Sequence, residues 1–229
     1  MAISVRSSSK NDSTTGTAMS VAAPTGATAG DLVVVIAEHN GNTTIVDNNG
    51  TTPFTEDIND WQPTPTAGNT ISVFSRTIQT GDPSTYNFTA GTSTRWSCIA
   101  ICLQATSPAY DVSPSTSNGG STDDSASGTQ VIPSITTGVA NTLHIVFCGW
   151  DTSATGTITE PSGYTLLQSA NAGGQPLSAA YKAIATASAT GTTSYANTEF
   201  AARAGLSFSV KESATAVRPI SNLLLMSAG

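Results

Sequence analysis

The sequence predicts an all-β protein made of two tandem β-sandwich domains related by internal duplication. Short apolar or alternating runs are separated throughout by clusters of Gly, Pro, Asn and Asp, which is typical of strands joined by turns. Similar phrases recur in both halves at a constant offset of 109 residues, in the pairs Pro24 and Pro133, Tyr86 and Tyr195, and Ile101 and Val210. This repeat is far longer than the roughly 20–50 residues of a solenoid unit, so each copy can bury a core of its own.

In the first copy the strands are short and their turns have clear physical reasons. Asn48-Asn49-Gly50 can supply the positive φ that a tight hairpin needs, and Asp82-Pro83 fixes φ where a turn begins. We expect strands of this copy near residues 3–7, 18–22, 31–38, 44–47, 53–57, 70–79, 85–89 and 95–104.

The second copy contains one segment whose composition also suits a helix. Residues 179–189 are rich in Ala, which has the highest helix propensity. Interleaved Ser and Thr, and the match to the run Val73–Thr80 of the first copy, favour a strand instead. We expect strands of this copy near residues 110–113, 129–132, 142–149, 157–159, 164–169, 175–185, 193–198 and 204–212.

These runs divide the chain into four parts. Residues 1–107 form the first sandwich, residues 108–128 a linker or surface loop rich in Ser, Gly and Asn, residues 129–212 the second sandwich, and residues 213–229 a C-terminal docking tail. Each sandwich is expected to be immunoglobulin-like or jelly-roll-like. One larger body with internal pseudo-symmetry is the alternative to two separate domains.

Composition excludes some classes of partner. The chain is 10% charged, well below the roughly 25% of ordinary globular proteins, and its net charge is −7. We therefore expect no binding to nucleic acid and none to anionic membranes. The longest apolar run, Leu32–Ala37, is too short to span a bilayer, and residues 1–6 lack the apolar region of a secretory signal. We expect synthesis in a cytoplasm.

The residues that usually carry catalysis or metal binding are few and scattered. Cys98, Cys102 and Cys148 are interpreted as buried thiols that act as small hydrophobes. His39 lies at a strand end, whereas alternation places His144 towards solvent or a domain interface. Neither histidine lies in a zinc-like spacing, so we expect no metal, no cofactor and no catalytic residue.

The richest polar and aromatic spot is the phrase from Glu56 to Trp61. One hypothesis is a carbohydrate subsite in which Trp61 stacks on a sugar ring while Asp57, Asn59 and Asp60 bind its hydroxyls. The alternative is a solvated loop anchored by a half-buried Trp. Calcium at residues 47–50 or 57–60 fits the oxygen ligands but not the EF-hand spacing.

The last segment changes character and is the main candidate for contact with a partner. Three consecutive leucines and a methionine would be costly to leave in water, since burying each is worth roughly 1.5–3 kcal/mol. The segment therefore packs on its own sandwich or docks on another subunit. Its candidate contact residues are Val217, Arg218, Ile220, Leu223, Leu224, Leu225 and Met226, and Ile3–Arg6 is a second candidate segment.

A further indication comes from the phrase Pro24–Val35, which contains Gly30-Asp31-Leu32-Val33. It resembles an opening that recurs in β-sandwich modules of tailed-bacteriophage virion proteins. In those modules a later strand often alternates small and apolar residues, as Trp96–Ile101 does here. Copy two keeps Pro133 and Leu143 but replaces Gly-Asp by Asn141-Thr142. The resemblance implies a structural role in a virion, on the capsid surface or the tail.

We therefore expect a non-enzymatic virion structural protein, foremost a capsid decoration (cement) protein that binds and stabilises the assembled shell. Its partners would be other capsid or tail subunits and further copies of itself on the virion surface. The alternative is a phage tail or fibre component that binds host surface glycans. A third class, a glycan hydrolase or esterase, has no residue set that demands it.

Overall fold

The computed structural model describes residues 2–41, 43–62, 69–122, 128–152, 156–170, 175–198 and 202–213. Within them the chain forms seventeen strands and one short 3-10 helix (Thr116–Asn118), and no helix long and apolar enough to span a bilayer. The strands of the first half are β1 (Ser4–Ser13), β2 (Ala18–Ala22), β3 (Leu32–Asn40), β4 (Ile45–Asp47), β5 (Thr55–Trp61), β6 (Asn69–Thr77), β7 (Thr85–Ala90) and β8 (Trp96–Gln104). Those of the second half are β9 (Pro108–Val112), β10 (Gly119–Thr122), β11 (Thr129–Ile132), β12 (Thr142–Trp150), β13 (Ile158–Thr159), β14 (Thr165–Ala170), β15 (Leu177–Ile184), β16 (Thr193–Asn197) and β17 (Arg203–Glu212).

The all-β prediction is confirmed, and each expected strand is present, including β15 in the Ala-rich segment. The strand β10 was not expected. It lies in the segment interpreted as a linker or surface loop, where β9 and β10 both pair with β17. Residues 108–112 and 119–122 are therefore part of a sheet.

The two halves have the same strand order. The first half has a first large sheet, β1-β8-β3-β6-β5, and a first small sheet, β2-β7-β4. The second half has a second large sheet, β10-β17-β12-β15-β14 with β9 also on β17, and a second small sheet, β11-β16-β13. In the first half β1 pairs with β8, β2 with β7 and β3 with β6, and in the second half β10 pairs with β17, β11 with β16 and β12 with β15. These strand pairs are nested inside one another, as in a long hairpin that folds over on itself. This is the jelly-roll arrangement, one of the two expected alternatives.

The strand registers of the halves also correspond. Val34 is opposite Ile101 in the first large sheet, and the residues 109 positions later, Leu143 and Val210, are opposite each other in the second. Val21 faces Tyr86 in the first small sheet just as Gln130 faces Tyr195 in the second. These matches are what a tandem duplication would leave; the duplication itself stays a prediction.

The four sheets stack as layers, with the two large sheets face to face in the middle. We call the interface between the large sheets the seam. Equivalent faces of the two halves meet there, which makes the contact pseudo-twofold. Its shared core contains Leu32, Val34, Ile36, Ile71, Val73, Ile99 and Ile101 from the first half and Leu143, Ile145, Phe147, Leu177, Leu206, Phe208 and Val210 from the second. Whether residues 1–107 and 129–212 are independent domains stays a prediction.

This stacking explains the uninterrupted apolar runs of the sequence. In β3, Val34 and Ile36 face the seam, whereas Val33 and Val35 face the first small sheet. Both faces of the strand are therefore shielded from water, which explains the unbroken apolar run Leu32–Ala37. In β7, by contrast, Tyr86 and Phe88 point inward and Asn87 points outward, so that strand alternates.

The edges of the large sheets are tied together across the seam. On one side β1 meets β14, where Ser8 Oγ donates to the Leu167 carbonyl at 3.0 Å and Gln168 Nε2 donates to the Ser8 carbonyl at 3.2 Å. On the other side β5 meets β9, where the Tyr110 hydroxyl donates to Asp57 Oδ2 at 2.7 Å. These bonds fix the two large sheets at both edges.

Candidate functional site

The predicted glycan residues lie in the edge strand β5 and do not converge on one face. Two irregularities in its pairing with β6 re-aim the side chains, and Asp60 has a φ of 42°. Asp57 points into the seam towards Tyr110. Asp60 points towards the first small sheet, where its Oδ1 accepts from the Ile45 backbone N–H at 2.8 Å and from Ser72 Oγ at 3.1 Å. The carboxylates of Asp57 and Asp60 therefore form hydrogen bonds on opposite sides of the first large sheet.

Trp61 is half-buried against the shared core instead of standing free for a sugar. Its indole covers Gly119 of β10, where an added Cβ would lie 2.7 Å from the ring atom Cη2. The expected stacking platform is therefore a packing contact between the halves. The side chain of Asn59 is exposed. It lies with Asp60 on the side of β5 that faces away from the seam.

A different acidic cleft lies on that opposite side, between β4 and β5. It has a volume of about 390 Å³, and its lining includes Asp47, Glu56, Asn59 and Asp60 together with Phe54. Burial, and then the charges of Asp60 and Asp47, raise the pKa of Glu56. The sequence marks residues 47–50 and 56–61 as polar. Which of their side chains line the same cleft depends on the bulges of β5.

The carboxylate of Asp47 shapes the loop that was considered for calcium. Its Oδ1 accepts from the Asn49 backbone N–H at 2.9 Å, and its Oδ2 accepts from that of Phe54 at 2.7 Å. Gly50 has the expected positive φ of 61°. Across the described ranges, no group of three or more His, Cys, Asp or Glu side chains is placed to hold a metal ion.

The two histidines are buried, and each lies within hydrogen-bond distance of a different partner. His39 Nε2 is 2.7 Å from the Thr43 carbonyl, and His144 Nδ1 is 2.7 Å from the Tyr164 hydroxyl. The expectation that His144 faces solvent or a domain interface is wrong, because the seam takes the opposite face of β12 and His144 lies inside the second sandwich. Burial, together with the charge of Lys182, lowers the pKa of His144 to about 4.

The serine opposite His144 is bonded to other groups. Ser209 pairs with His144 across β17 and β12. Its Oγ accepts from the Val112 backbone N–H at 3.1 Å and donates to Asp111 Oδ2 at 3.4 Å. Ser209 therefore helps to hold β9 on the edge of the second large sheet.

The three cysteines are buried and free of disulfides, as expected. Burial raises the pKa of the Cys98 and Cys148 thiols and, with the neighbouring Asp31, raises that of Cys102 to about 12. Thiols of this kind are protonated at neutral pH and react slowly.

Glu38 is fully buried in the seam. Asn69 Nδ2 donates to its Oε1 at 3.3 Å, while its Oε2 has no partner among the described residues. Gly149 of β12 leaves room for the carboxylate, since an added Cβ there would lie 2.2 Å from Oε1. Burial, and then the charge of Asp151, raise the pKa of Glu38 well above its ordinary value.

The two candidate segments for partner contact differ in whether the structure describes them. Ile3 is buried in the shared core, and Arg6 Nε lies 2.7 Å from Asp31 Oδ2. Ile3 is therefore taken up by the core and Arg6 is held by Asp31 of the Gly-Asp-Leu phrase, whereas contact of Ile3–Arg6 with a partner stays a prediction. The candidates Val217, Arg218, Ile220, Leu223, Leu224, Leu225 and Met226 lie outside the described residues.

The outer faces of the small sheets are a candidate surface that sequence reasoning missed. Their outward side chains are all small or uncharged within the described strands β2, β4, β7, β11, β13 and β16. On the first small sheet they are Ala18, Ser20, Ala22, Val46, Thr85, Asn87 and Thr89. On the second they are Thr129, Val131, Thr159, Ser194 and Ala196. In the sequence, these surfaces correspond to the small or uncharged residues at the outward positions of the alternating strands.

Because the small sheets are the outermost layers, these two faces lie on opposite sides of the body. Within the described strands, each face is a pleated surface of short, uncharged side chains, so contact there removes no charge from water.

No protein-family model matches this chain, and no curated protein is significantly similar to it.

Proposed function

We propose that the chain is a non-enzymatic structural protein of a tailed-bacteriophage virion, foremost a capsid decoration protein. One observation carries the proposal: two uncharged outer sheet faces lie on opposite sides of a single four-layer body. A protein with two such faces bridges neighbouring subunits, and it stabilises the assembled shell because it binds that state in preference to free subunits.

The chemistry of these faces suits adhesion to a protein surface. Ser, Thr and Asn at outward positions such as Ser20, Asn87 and Ser194 lose little rotamer freedom on contact, compared with Lys or Glu. They also avoid the desolvation penalty of a buried charge. Such contacts are individually weak, so they favour binding where many copies meet a repeating lattice.

The fold supports the same proposal by analogy. Jelly-roll sandwiches are common in viral capsid and lectin domains, although a fold alone does not assign a function. The phrase Pro24–Val35 adds its resemblance to phage virion modules.

Introducing a positive charge on each binding face tests the proposal. Asn87→Arg and Ser194→Arg place one cation on each outer face, while Ser162→Arg places one on an exposed turn as a matched control. We expect the wild-type chain and the control to co-sediment with particles of the virus that encodes the chain, and the double variant to lose most of that binding at an unchanged Tm. Equal binding of the double variant, or absence of the chain from purified particles, contradicts the proposal.

Glycan binding by a tail or fibre component is the second candidate, and the acidic cleft favours it. Glu56, Asn59 and Asp60 line the cleft beside an aromatic floor. A panel of host glycans should then bind the wild-type chain but not Asn59→Ala, whose side chain is exposed. Trp61→Ala should instead lower stability, because Trp61 packs in the seam. Failure of every glycan to bind would exclude this candidate for the panel used.

A further inference from the structure

An apolar groove opens at one end of the seam. Its apolar lining includes Ala2, Ile3, Leu143 and Ile184, Asn141 and Thr142 add two polar side chains, and the volume is about 200 Å³. An engineered cavity of about 150 Å³ holds a benzene molecule, so this groove has room for an aliphatic side chain of leucine size. The alanines at positions 183 and 185 are exposed and leave the groove open.

The C-terminal end of β17 lies at the same end of the seam. Leu143 is opposite Val210 on β17 and opposite Ala183 on β15. Beyond β17, the Ser213 backbone N–H donates to the Ser107 carbonyl at 2.7 Å. Leu143 and Ala183 are thus one and two strands from β17, about 5 Å and about 10 Å across the sheet, and Ser213 lies three residues beyond Val210, about 10 Å along it.

We propose that this groove binds the C-terminal segment Val217–Met226 of the same chain in the free protein. Ten residues separate Ser213 from Leu223, and an extended chain of that length spans up to about 33 Å, which exceeds both separations. The segment supplies Leu223, Leu224, Leu225 and Met226, the side chains that an apolar groove accommodates.

A short tether also favours the same chain over a second copy. A flexible linker of this length gives an effective concentration in the millimolar range, so a second copy at micromolar concentration competes poorly. The inference does not depend on the virion assignment. If the segment also contacts a shell, it must leave the groove first, and the groove then limits premature association.

The test uses the purified full chain without particles. A nitroxide is attached at Ser221→Cys, which labels selectively because Cys98, Cys102 and Cys148 are buried. We expect paramagnetic broadening of the NMR signals of Ile3, Leu143 and Ile184, unchanged on tenfold dilution. Ala183→Trp should abolish it by filling the groove, whereas Ala187→Trp, at another exposed alanine, should not.

A mixture separates the two possible occupants. Isotope-labelled chain without a nitroxide is mixed with unlabelled chain that carries one, so that any broadening must come from a second molecule. We expect none. Broadening in the mixture alone assigns the groove to a second copy, and an absence of broadening at the groove in every sample shows that the segment does not bind there; either result overturns the proposal.

Discussion

The hydroxyl of Tyr110 donates a 2.7 Å hydrogen bond to Oδ2 of Asp57, and this bond joins an edge strand of one large sheet to an edge strand of the other. The ring of Tyr110 also packs edge-on against Phe208, with ring centroids 5.6 Å apart. One side chain from the start of the second half is thus anchored in both large sheets. Asp57, first considered as a sugar ligand, is explained by this contact.

Tyr110→Phe should lower the free energy of unfolding by about 1–2 kcal/mol. The substitution removes a hydrogen bond to a half-buried carboxylate and leaves the ring contact in place. Urea unfolding measures the change. Tyr181→Phe is the matched control, because the Tyr181 ring packs against the same core and its hydroxyl forms no hydrogen bond within the described residues. A double-mutant cycle with Asp57→Asn should show coupling; additive effects would mean that the bond does not contribute.

Glu38→Gln should increase stability at alkaline pH relative to the wild-type chain. The pKa of Glu38 is raised in the folded state, so the unfolded chain loses this proton at a lower pH than the folded chain. The contribution of Glu38 to stability therefore falls as pH rises above the ordinary carboxyl range. Denaturant midpoints at pH 5 and pH 8 should differ less for Glu38→Gln than for wild type. Identical pH dependence would show that Glu38 is not held protonated in the seam.

His144→Gln should remove part of the acid sensitivity of the protein. The pKa of His144 is lowered from 6.5 to about 4, so between these values the unfolded chain binds a proton that the folded chain excludes. Stability attributable to this group is therefore lost as pH falls from about 6.5 to about 4, by up to about 3 kcal/mol. Above pH 7 the pH dependence of the variant should match that of wild type. A wild-type slope in the variant between pH 6.5 and pH 4 would contradict the assignment.

The strands could be predicted from sequence because each depends on local patterns. Alternation in Tyr86-Asn87-Phe88 and turn chemistry at Asn49-Gly50 are readable without tertiary contacts. The strand β10 was missed because Gly119-Gly120-Ser121-Thr122 carries neither alternation nor β-branched apolar residues. Its pairing with β17 comes from the fold, which supplies the partner.

The stacking of the large sheets could not be predicted in the same way. The continuous apolar run Leu32–Ala37 indicates a strand buried on both faces, but it does not say which sheet covers the second face. The positions of the candidate glycan residues depend on the local backbone geometry of β5, which the sequence pattern does not show. Asp57 and Asp60 are three residues apart, and the bulges in β5 decide that they point to opposite sides.

Whether the halves form one cooperative body is tested most directly by following each half with its own tryptophan. Trp96 is buried in the core of the first small sheet and Trp150 in that of the second, so neither reports the seam itself. Trp61→Phe with Trp150→Phe leaves fluorescence only from Trp96 in the first half, and Trp61→Phe with Trp96→Phe leaves it only from Trp150 in the second. In urea, each variant should show a fluorescence transition that coincides with its own far-UV circular dichroism transition, because the shared core unfolds as a unit. Two separated transitions, with one half unfolding while the other stays folded, would contradict the account.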